Sequence, residues 1–315
     1  MQKSAAAAHG RAKTAWYFFL LALAALMWAG QGTAVKFLGR HLGPMAITFL
    51  PFYVAALLLV PLLVYTRRRN PCAERPGWRD WWRFTVAGVG GQVLAQLGMT
   101  WGITKSLASN GAILNLMIPV ITAVLASIML RERLTLLRVA ALGIGLAGVL
   151  LMSVEDLRHS SLVSSKYLVG NLLILAGCTG SSFYNTYCKG LLARFQEVEI
   201  LIFSYVTASL ASVPLLVWVE PFRLDALSAF DRTSWIAFAF QALLMYGLSM
   251  VLFFYVLQHL DVTVASMCVY LIPVFGVLLA IVFLGERLSP VALAGAAIVL
   301  AATVLIMKYD AGGAP

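Results

Sequence analysis

The sequence predicts an all-α integral membrane protein with ten transmembrane helices, arranged as two five-helix repeats of inverted topology. Three observations predict this fold: an apolar composition, ten apolar runs, and landmarks that recur about 154 residues apart. Hydrophobic residues make up 61% of the 315 residues and charged residues 11%, and the mean hydropathy is +0.89. A soluble fold of this length cannot hide so much apolar side chain. Soluble enzymes, secreted disulfide scaffolds and disordered chains are therefore excluded.

The ten apolar runs have about the 20 residues that an α-helix needs to cross a bilayer core. They are Trp16–Val35, Met45–Tyr65, Phe84–Ile103, Leu107–Leu130, Leu136–Val154, Tyr167–Tyr187, Val198–Val219, Trp235–Leu257, Thr263–Leu284 and Pro290–Met307. Each run is predicted to be helical because lipid offers no partners for backbone polar groups. The predicted organisation is a tail (1–15), a first repeat (16–154), a linker loop (155–166), a second repeat (167–308) and a second tail (309–315).

The distribution of basic residues predicts the orientation of the chain. Lys3, Arg11 and Lys13 precede the first run as in a signal peptide, but nine further runs follow, so we expect an uncleaved signal anchor. With alternating spans, 15 of the 23 lysines and arginines lie on the N-terminal side and 8 on the other. Because such residues concentrate in cytoplasmic loops, both termini are predicted to lie in the cytoplasm. The predicted location is the inner membrane. The net charge of +10 therefore needs no nucleic-acid partner.

Two stretches of the chain match each other. Leu130-Arg-Glu-Arg-Leu134 follows the fourth run and Leu284-Gly-Glu-Arg-Leu288 follows the ninth. Four pairs of landmarks are 153 or 154 residues apart: Glu132 and Glu286 (154), Pro119 and Pro273 (154), Pro61 and Pro214 (153), and Lys36 and Lys189 (153). This predicts a duplication of five spans, and because five is odd the copies must insert in opposite senses. Inverted repeats are common in secondary transporters, with the binding site near the midplane where the halves meet. The alternative is that the duplication merely builds a helical bundle.

These landmarks resemble those of the drug/metabolite transporter superfamily, in its EamA-like ten-span branch. The resemblance covers Trp16 to Met307 and rests on Trp28-Ala-Gly-Gln-Gly-Thr-Ala-Val-Lys36, on Ile118-Pro119 and on the Glu-Arg-Leu corners at Glu132 and Glu286. It implies a cavity lined by spans one, three, four, six, eight and nine, with spans two and seven as gates and spans five and ten at the periphery. Many relatives carry an arginine early in span two, where this chain has Pro51-Phe52-Tyr53.

Ionisable residues are confined to the loops and to the ends of the spans. Intramembrane chemistry by paired carboxylates or by a metal therefore has no residues to use, and we predict no catalytic residue, metal or cofactor. The four histidines (His9, His41, His159 and His259) are scattered. Glu132 and Glu286 are flanked by arginine, which predicts local ion pairs at a helix end in preference to a role in gating.

Neutral polar and aromatic residues near the middle of the spans are the candidate substrate-binding residues. They are Trp28, Gln31, Gln92, Gln96, Asn115, Tyr184, Asn185, Tyr187, Tyr246 and Tyr270. Gln92 and Gln96 share one face of span three, and the repeat relates them to Tyr246 and Met250 in span eight. Amides and phenols suit neutral, zwitterionic or aromatic solutes, whereas a phosphate ester would need arginine or lysine at depth. The alternative role for any one of them is a hydrogen bond between helices.

Four prolines within spans are candidate hinges or gates: Pro61, Pro119, Pro214 and Pro273. A proline inside a helix frees the backbone carbonyl one turn earlier, and in lipid that carbonyl needs a new partner. The alternative interpretation is a fixed kink.

The predicted function is secondary transport of a small, amino-acid-like organic metabolite by alternating access. Export is implied by the family resemblance alone. The alternatives are uptake of a heterocyclic compound such as a vitamin and, as a different class, a membrane-embedded enzyme. The predicted partners are a small-molecule substrate and membrane lipid, without nucleic acid, in a monomer or a homodimer.

Overall fold

The computed structural model describes residues 2–69, 75–106, 108–152, 165–220, 225–284 and 290–309, and within these ranges every regular element is helical. The first half contains α1 (Gln2–Ala29), α2 (Gln31–Leu38), α3 (Pro44–Arg69), α4 (Trp81–Thr85), α5 (Leu94–Thr104), α6 (Ala108–Asn115), α7 (Met117–Met129) and α8 (Leu136–Met152). The second half contains α9 (Ser165–Leu191), α10 (Glu197–Pro214), α11 (Asp225–Ser228), α12 (Arg232–Ala239), α13 (Ser249–His259), α14 (Val262–Ser266), α15 (Leu271–Leu284) and α16 (Pro290–Tyr309). The predicted all-α class is confirmed.

The helices are apolar on their outer surfaces. Four stretches are long and apolar enough to cross a membrane, judged by length and composition: Ala12–Val35, Pro44–Arg69, Glu197–Val219 and Arg232–His259. Four further apolar stretches are shorter: Ile113–Met129, Leu136–Leu151, Val262–Gly276 and Leu293–Tyr309. Large apolar side chains such as Leu57, Ile128 and Leu210 are exposed, as expected of a surface that faces lipid. The chain is therefore a helical membrane protein.

Two of the long helices widen into π-helical turns at related positions. Val86–Val93 connects α4 to α5, and Phe240–Leu248 connects α12 to α13. We call them the first and the second π segment, and their first residues are 154 apart. A third π-helical turn, Leu215–Val219, follows Pro214 at the end of α10. Wide turns of this kind are rare and are frequently found at functional sites.

Two helices are interrupted just before their prolines. Pro119 lies in the first turn of α7, which is separated from α6 by Leu116. Pro273 lies in the first turn of α15, which follows a 3₁₀ turn over Met267–Tyr270. Proline removes an N–H donor and clashes with the preceding turn, so an interruption at each place is the expected local result. A hinge motion at these breaks, as at Pro61 within α3 and Pro214 at the end of α10, remains a prediction.

Helices α5 and α9 approach each other closely and run antiparallel. A Cβ atom on Gly98 would lie 2.5 Å from the backbone N of Gly177, and one on Gly177 would lie 2.7 Å from the N of Met99. Small residues allow such backbone contact between helices in lipid. The contact holds the first π segment and α5 firmly against α9.

Helices α3 and α10 also pack against each other in opposite directions. Three contacts fix this direction: Arg67 Nε to Glu199 Oε1 at 2.9 Å, Tyr53 Oη to Ser212 Oγ at 2.8 Å, and Met45 N to Glu220 Oε1 at 3.1 Å. The start of each helix therefore lies beside the end of the other. Both ends of the pair are held by a buried or partly buried carboxylate.

Candidate functional site

A buried group of aromatic side chains lies where α3 and α10 cross. The ring centroid of Phe52 is 4.0 Å from that of Tyr205 and 5.3 Å from that of Tyr246. The Tyr205 hydroxyl donates a hydrogen bond to the backbone carbonyl of Tyr246 at 2.9 Å. The Tyr246 hydroxyl in turn points at Gln96 Oε1 at 3.5 Å. We define the central cluster as these four residues together with Gln92, Tyr184 and Ser204.

Helix α9 contributes Tyr184 to the central cluster. Its hydroxyl shares a hydrogen bond of 2.9 Å with Ser204 Oγ and also interacts with the side chain of Gln92. A Cβ atom on Gly91 would lie 2.7 Å from the Cβ of Tyr184, so the first π segment packs directly on this tyrosine. The cluster thus joins both π segments to α3, α5, α9 and α10.

The π geometry makes backbone carbonyls available to side chains. Where a helix changes from π to α hydrogen bonding, a carbonyl is left without its N–H partner. In the second π segment, the Tyr246 carbonyl accepts from Tyr205 and the Met245 carbonyl accepts from Ser249 Oγ. Trp28 Nε1 donates to the same Ser249 Oγ at 2.9 Å. A polar ligand could compete for these acceptors without breaking a regular helix.

The central cluster is neutral and well buried. Tyr184, Tyr205, Tyr246 and Gln92 are 1%, 0%, 4% and 7% exposed, and no member of the cluster is ionisable near pH 7. Within the described ranges, no three His, Cys, Asp or Glu side chains come together to hold a metal ion. Buried amides and phenols recognise a ligand by hydrogen bonds and ring contacts.

Some of the sequence-predicted residues meet in this cluster and others do not. Gln92, Gln96, Tyr184 and Tyr246 belong to it, whereas Trp28 donates to Ser249, which directly follows the second π segment. The others have these placements: Asn115 accepts from Cys178 Sγ at 3.6 Å, Tyr187 stacks on Phe183 at 5.4 Å, Tyr270 packs on Gly145, Asn185 is buried, and Gln31 is half-buried. Tyr270 ends a 3₁₀ turn, whose three residues per turn shift its direction relative to an α-helix.

Three residues of the site were missed by the sequence interpretation: Phe52, Ser204 and Tyr205. A signal existed for two of them, because Phe52 and Tyr205 are 153 residues apart, as Pro61 and Pro214 are. The sequence interpretation instead treated position 52 as part of a departure from the family pattern. Ser204 carries no such signal, since isolated serines are common in apolar helices and only packing identifies its partner.

A lateral groove of about 550 Å³ lies beside the central cluster, on the outer face of the helices. It is lined by Thr85, Val86, Val89, Gly90, Leu94, Leu125, Thr179 and Phe183. Its lining is almost entirely apolar and does not include Gln92. The groove therefore belongs to the lipid-facing surface and not to the polar site.

The expectation of a local ion pair at Glu132 is wrong. Its carboxylate accepts from the backbone N of Val262 at 2.7 Å, from the N of Thr263 at 3.2 Å and from Thr263 Oγ1 at 2.7 Å. The first N–H groups of a helix lack intrahelical partners and carry a partial positive charge, so a carboxylate binds them well. The corner of the first half thus caps α14 in the second half. Glu286 lies outside the described residues.

Two further basic residues hold the same turn between α13 and α14. Arg138 Nη2 lies 2.5 Å from Asp261 Oδ2. Lys189 Nζ donates to the carbonyls of Leu257 at 2.6 Å and Leu260 at 3.0 Å, where the end of α13 leaves carbonyls without helical partners. We call Glu132, Arg138 and Lys189 the α14 clamp. It ties the corner after α7 and the end of α9 to the turn at Asp261.

Comparisons with known proteins agree with this architecture. A solved crystal structure superposes with a TM-score of 0.77 at 19% identity, covering 92% of this chain and 96% of that one, which shows the shared fold. An uncharacterized transporter of Archaeoglobus fulgidus is 23% identical over 293 residues, 92% of this chain and 98% of its own. A protein of Streptantibioticus cattleyicolor named "Probable terminal-alkyne amino-acid exporter" is 27% identical over 240 residues, 76% of this chain and 77% of its own.

The sequence profile of a single transporter family matches this chain twice, over residues 15–154 and 168–308. Together the two matches cover most of the sequence, and they agree with the resemblance that its motifs indicate. The chain belongs to the EamA-like transporter family, whose members are transporters and not enzymes.

Proposed function

We propose that this protein exports a small neutral, zwitterionic or aromatic metabolite, amino-acid-like in chemistry, by alternating access across the inner membrane. Ten spans form two inverted repeats of five, with both termini in the cytoplasm, and the central cluster binds the substrate between them. The observation that carries the proposal is that equivalent positions of the two halves meet in one neutral, buried site.

The direction of α3 and α10 supports the inverted repeat. At a spacing of 153, Phe52 corresponds to Tyr205, and the centroids of these two rings lie 4.0 Å apart with their planes tilted by 32°. Residues related by a two-fold axis touch their own equivalents only where they lie near that axis. Copies inserted in the same sense would make corresponding helices parallel, whereas α3 and α10 are antiparallel.

The remaining helix contacts follow the same symmetry. Helix α9 packs on α5 in the way that its equivalent α1 packs on α13, and α8 packs on its own equivalent α16. The first π segment packs on α10, and the second packs on α3. These three sets of contacts therefore relate one half to the other in the way that an inverted repeat requires.

The chemistry of the central cluster supports the proposed substrate class. Gln92 and Gln96 supply amides, Tyr184 and Tyr246 supply hydroxyls, and Phe52 supplies an apolar face. A phosphorylated or polyanionic substrate would leave its charge unpaired there, at a cost of several kcal/mol. A small solute with one or two polar groups and an apolar or aromatic body fits these partners.

Alternating access requires each end of the helix pair to open in turn. One end is closed by the ion pair between Arg67 and Glu199. The opposite end is closed by Glu220, whose carboxylate accepts from the backbone N atoms of Met45 and Ala46 at 3.1 and 3.2 Å. Each latch is worth only a few kcal/mol or less, so the binding energy of a substrate can shift the balance between them. The printed name of the exporter relative supports the outward direction.

Flux into proteoliposomes tests the proposal. Purified protein is reconstituted, and uptake of radiolabelled phenylalanine, leucine, glycine and glucose 6-phosphate is followed in exchange for the same unlabelled solute. We expect exchange of at least one neutral amino acid and none of the phosphate ester. A matched preparation with Tyr246→Phe and Gln92→Leu gives the background. Metabolite profiling of spent medium from a deletion strain then identifies the natural cargo and its direction, and exchange of the phosphate ester alone would contradict the substrate class.

A further inference from the structure

The segment between α3 and α4 combines dense positive charge with exposed aromatic rings. Residues 67–83 carry six arginines and three tryptophans against two acids, Glu74 and Asp80. Arg68, Arg69, Arg75 and Arg79 are exposed. Trp78 and Trp82 are 87% and 59% exposed, which is unusual for large aromatic side chains. None of these residues belongs to the central cluster that we propose as the substrate site.

The fold gathers this charge into one patch. The guanidinium carbon of Arg67, at the end of α3, lies 5.7 Å from the ring centroid of Phe203. The ring of Trp81, at the start of α4, packs edge-on against the same Phe203 at 5.4 Å. Because both helix ends pack on one residue of α10, the arginines at the end of α3 and those just before α4 lie at the same end of the helices.

Part of the charge is already neutralised and part is not. Arg67 is paired with Glu199, and Asp80 is shared between Arg83 at 3.7 Å and Arg194 at 3.3 Å. The other exposed arginines, defined here as the arginine patch, are Arg68, Arg69, Arg75 and Arg79. Among the contacts of the described residues, none of these four is bridged to a carboxylate. The patch therefore has capacity for an external anion.

We propose that the arginine patch, with Trp78 and Trp82, binds the phosphodiester headgroup of an anionic phospholipid. Arginine clusters next to a membrane-crossing helix attract anionic lipids, and tryptophan rings prefer the boundary between headgroups and acyl chains. The Arg83 guanidinium already lies 5.7 Å from the Trp82 ring, so cation and ring share one surface. A free phosphate ion could use the arginines but not the exposed rings, which commits the site to a lipid.

Lipid titration of the full-length protein tests this proposal. Phosphatidylglycerol or phosphatidylcholine is added to protein in an uncharged maltoside detergent, and bound lipid is counted by native mass spectrometry. We expect phosphatidylglycerol to bind the wild-type protein at least tenfold more tightly than phosphatidylcholine. In R68Q/R79Q the affinity for phosphatidylglycerol should fall roughly 25-fold, about fivefold for each arginine near the surface. Equal binding of the two lipids would overturn the proposal.

Matched controls separate lipid binding from a general loss of charge. R40Q/R232Q removes two exposed arginines outside the patch and should change the affinity less than twofold. W78A/W82A keeps every charge and should still weaken phosphatidylglycerol binding. R68K/R79K keeps the charge if the glutamine variant folds poorly, and it should retain most of the affinity. An equal loss in R40Q/R232Q, or displacement of the lipid by an equal concentration of glycerol phosphate, would contradict a phospholipid site.

Discussion

The first and second π segments have the same backbone geometry and carry different side chains. Val86–Val93 and Phe240–Leu248 begin 154 residues apart, and each opens a helix that reaches the central cluster. Yet position 92 is glutamine where position 246 is tyrosine, and position 96 is glutamine where position 250 is methionine. The comparison teaches that the two halves share the backbone geometry at this position, whereas the hydrogen-bonding side chains on it differ between the halves.

The two segments are also packed differently behind the site. In the first half, Gly98 follows the π segment and lets α5 contact the backbone of α9. At the equivalent position, α13 carries the half-buried Leu252. Close backbone packing therefore holds α5 behind the first π segment, whereas the second π segment accepts a side-chain hydrogen bond from Tyr205 on α10.

The largest expected effect is on membrane topology. The comparison of the two π segments assumes that the two halves of the chain insert into the membrane in opposite orientations. Reporter fusions that end after Arg133 should be cytoplasmic, and fusions that end after Arg287 should be external. A paired cytoplasmic and periplasmic reporter measures each fusion in the same cells. If the reporters after Arg133 and Arg287 lie on the same side of the membrane, the two halves are not inverted and the comparison does not hold.

Gly98→Leu, which gives α5 the residue of α13, tests the difference in packing. The new side chain has no room against the backbone N of Gly177, so the helices must separate. We expect the free energy of unfolding to fall by about 3 kcal/mol or more, and Gly98→Ala to cost about 1–3 kcal/mol. Thermal unfolding in detergent measures both. Gly143→Ala, where no atom lies within 4 Å of the added Cβ, is the control and should not lower stability.

Glu132→Ala tests the link between the corner of the first half and α14. It removes three hydrogen bonds to a carboxylate, two of them at an N-terminus, and should destabilise the protein by about 2–3 kcal/mol. Glu197→Ala removes a half-buried carboxylate whose hydrogen bond to Gln258 is exposed to solvent, and it should cost less than about 1 kcal/mol. Both variants are measured by thermal unfolding. If they lose the same stability, Glu132 contributes no more to stability than an ordinary surface carboxylate.

The smallest expected effect is that of a pH gradient on transport, because both π segments lack side chains that ionise near pH 7. No carboxylate belongs to the central cluster, so the proposed substrate site has no group that could carry a proton. Exchange flux in proteoliposomes should therefore change less than about twofold when an imposed pH gradient is collapsed. Strict dependence on the gradient would identify a titrating group elsewhere, with the residues at the span ends as the first to be examined.

Much of the helical architecture was predictable because lipid restricts the options for the backbone. The apolar runs located the helices, and Pro119 and Pro273 were expected to disturb the helical hydrogen bonding one turn earlier, where the structure has breaks at Leu116 and before Leu271. The π turns were not predictable, because composition does not distinguish five-residue from four-residue hydrogen bonding. The cap that Glu132 gives to α14 was missed because its partners are backbone N–H groups 130 residues away, which no pattern of side chains reveals.

The central claim is that equivalent positions of the two halves hold one substrate, and a double-mutant cycle at Gln92 and Tyr246 tests it most directly. Exchange of the best transported amino acid is measured per folded molecule in Gln92→Leu, Tyr246→Phe and the double variant, with Tyr187→Phe as a control outside the cluster. Each single change should lower transport about 5- to 150-fold, because a polar group of the substrate loses its partner. The double variant should lose less than the product of the two, since both side chains contact one ligand. Normal transport in both single variants, accompanied by lower thermal stability, would show that these side chains only join helices and would contradict the account.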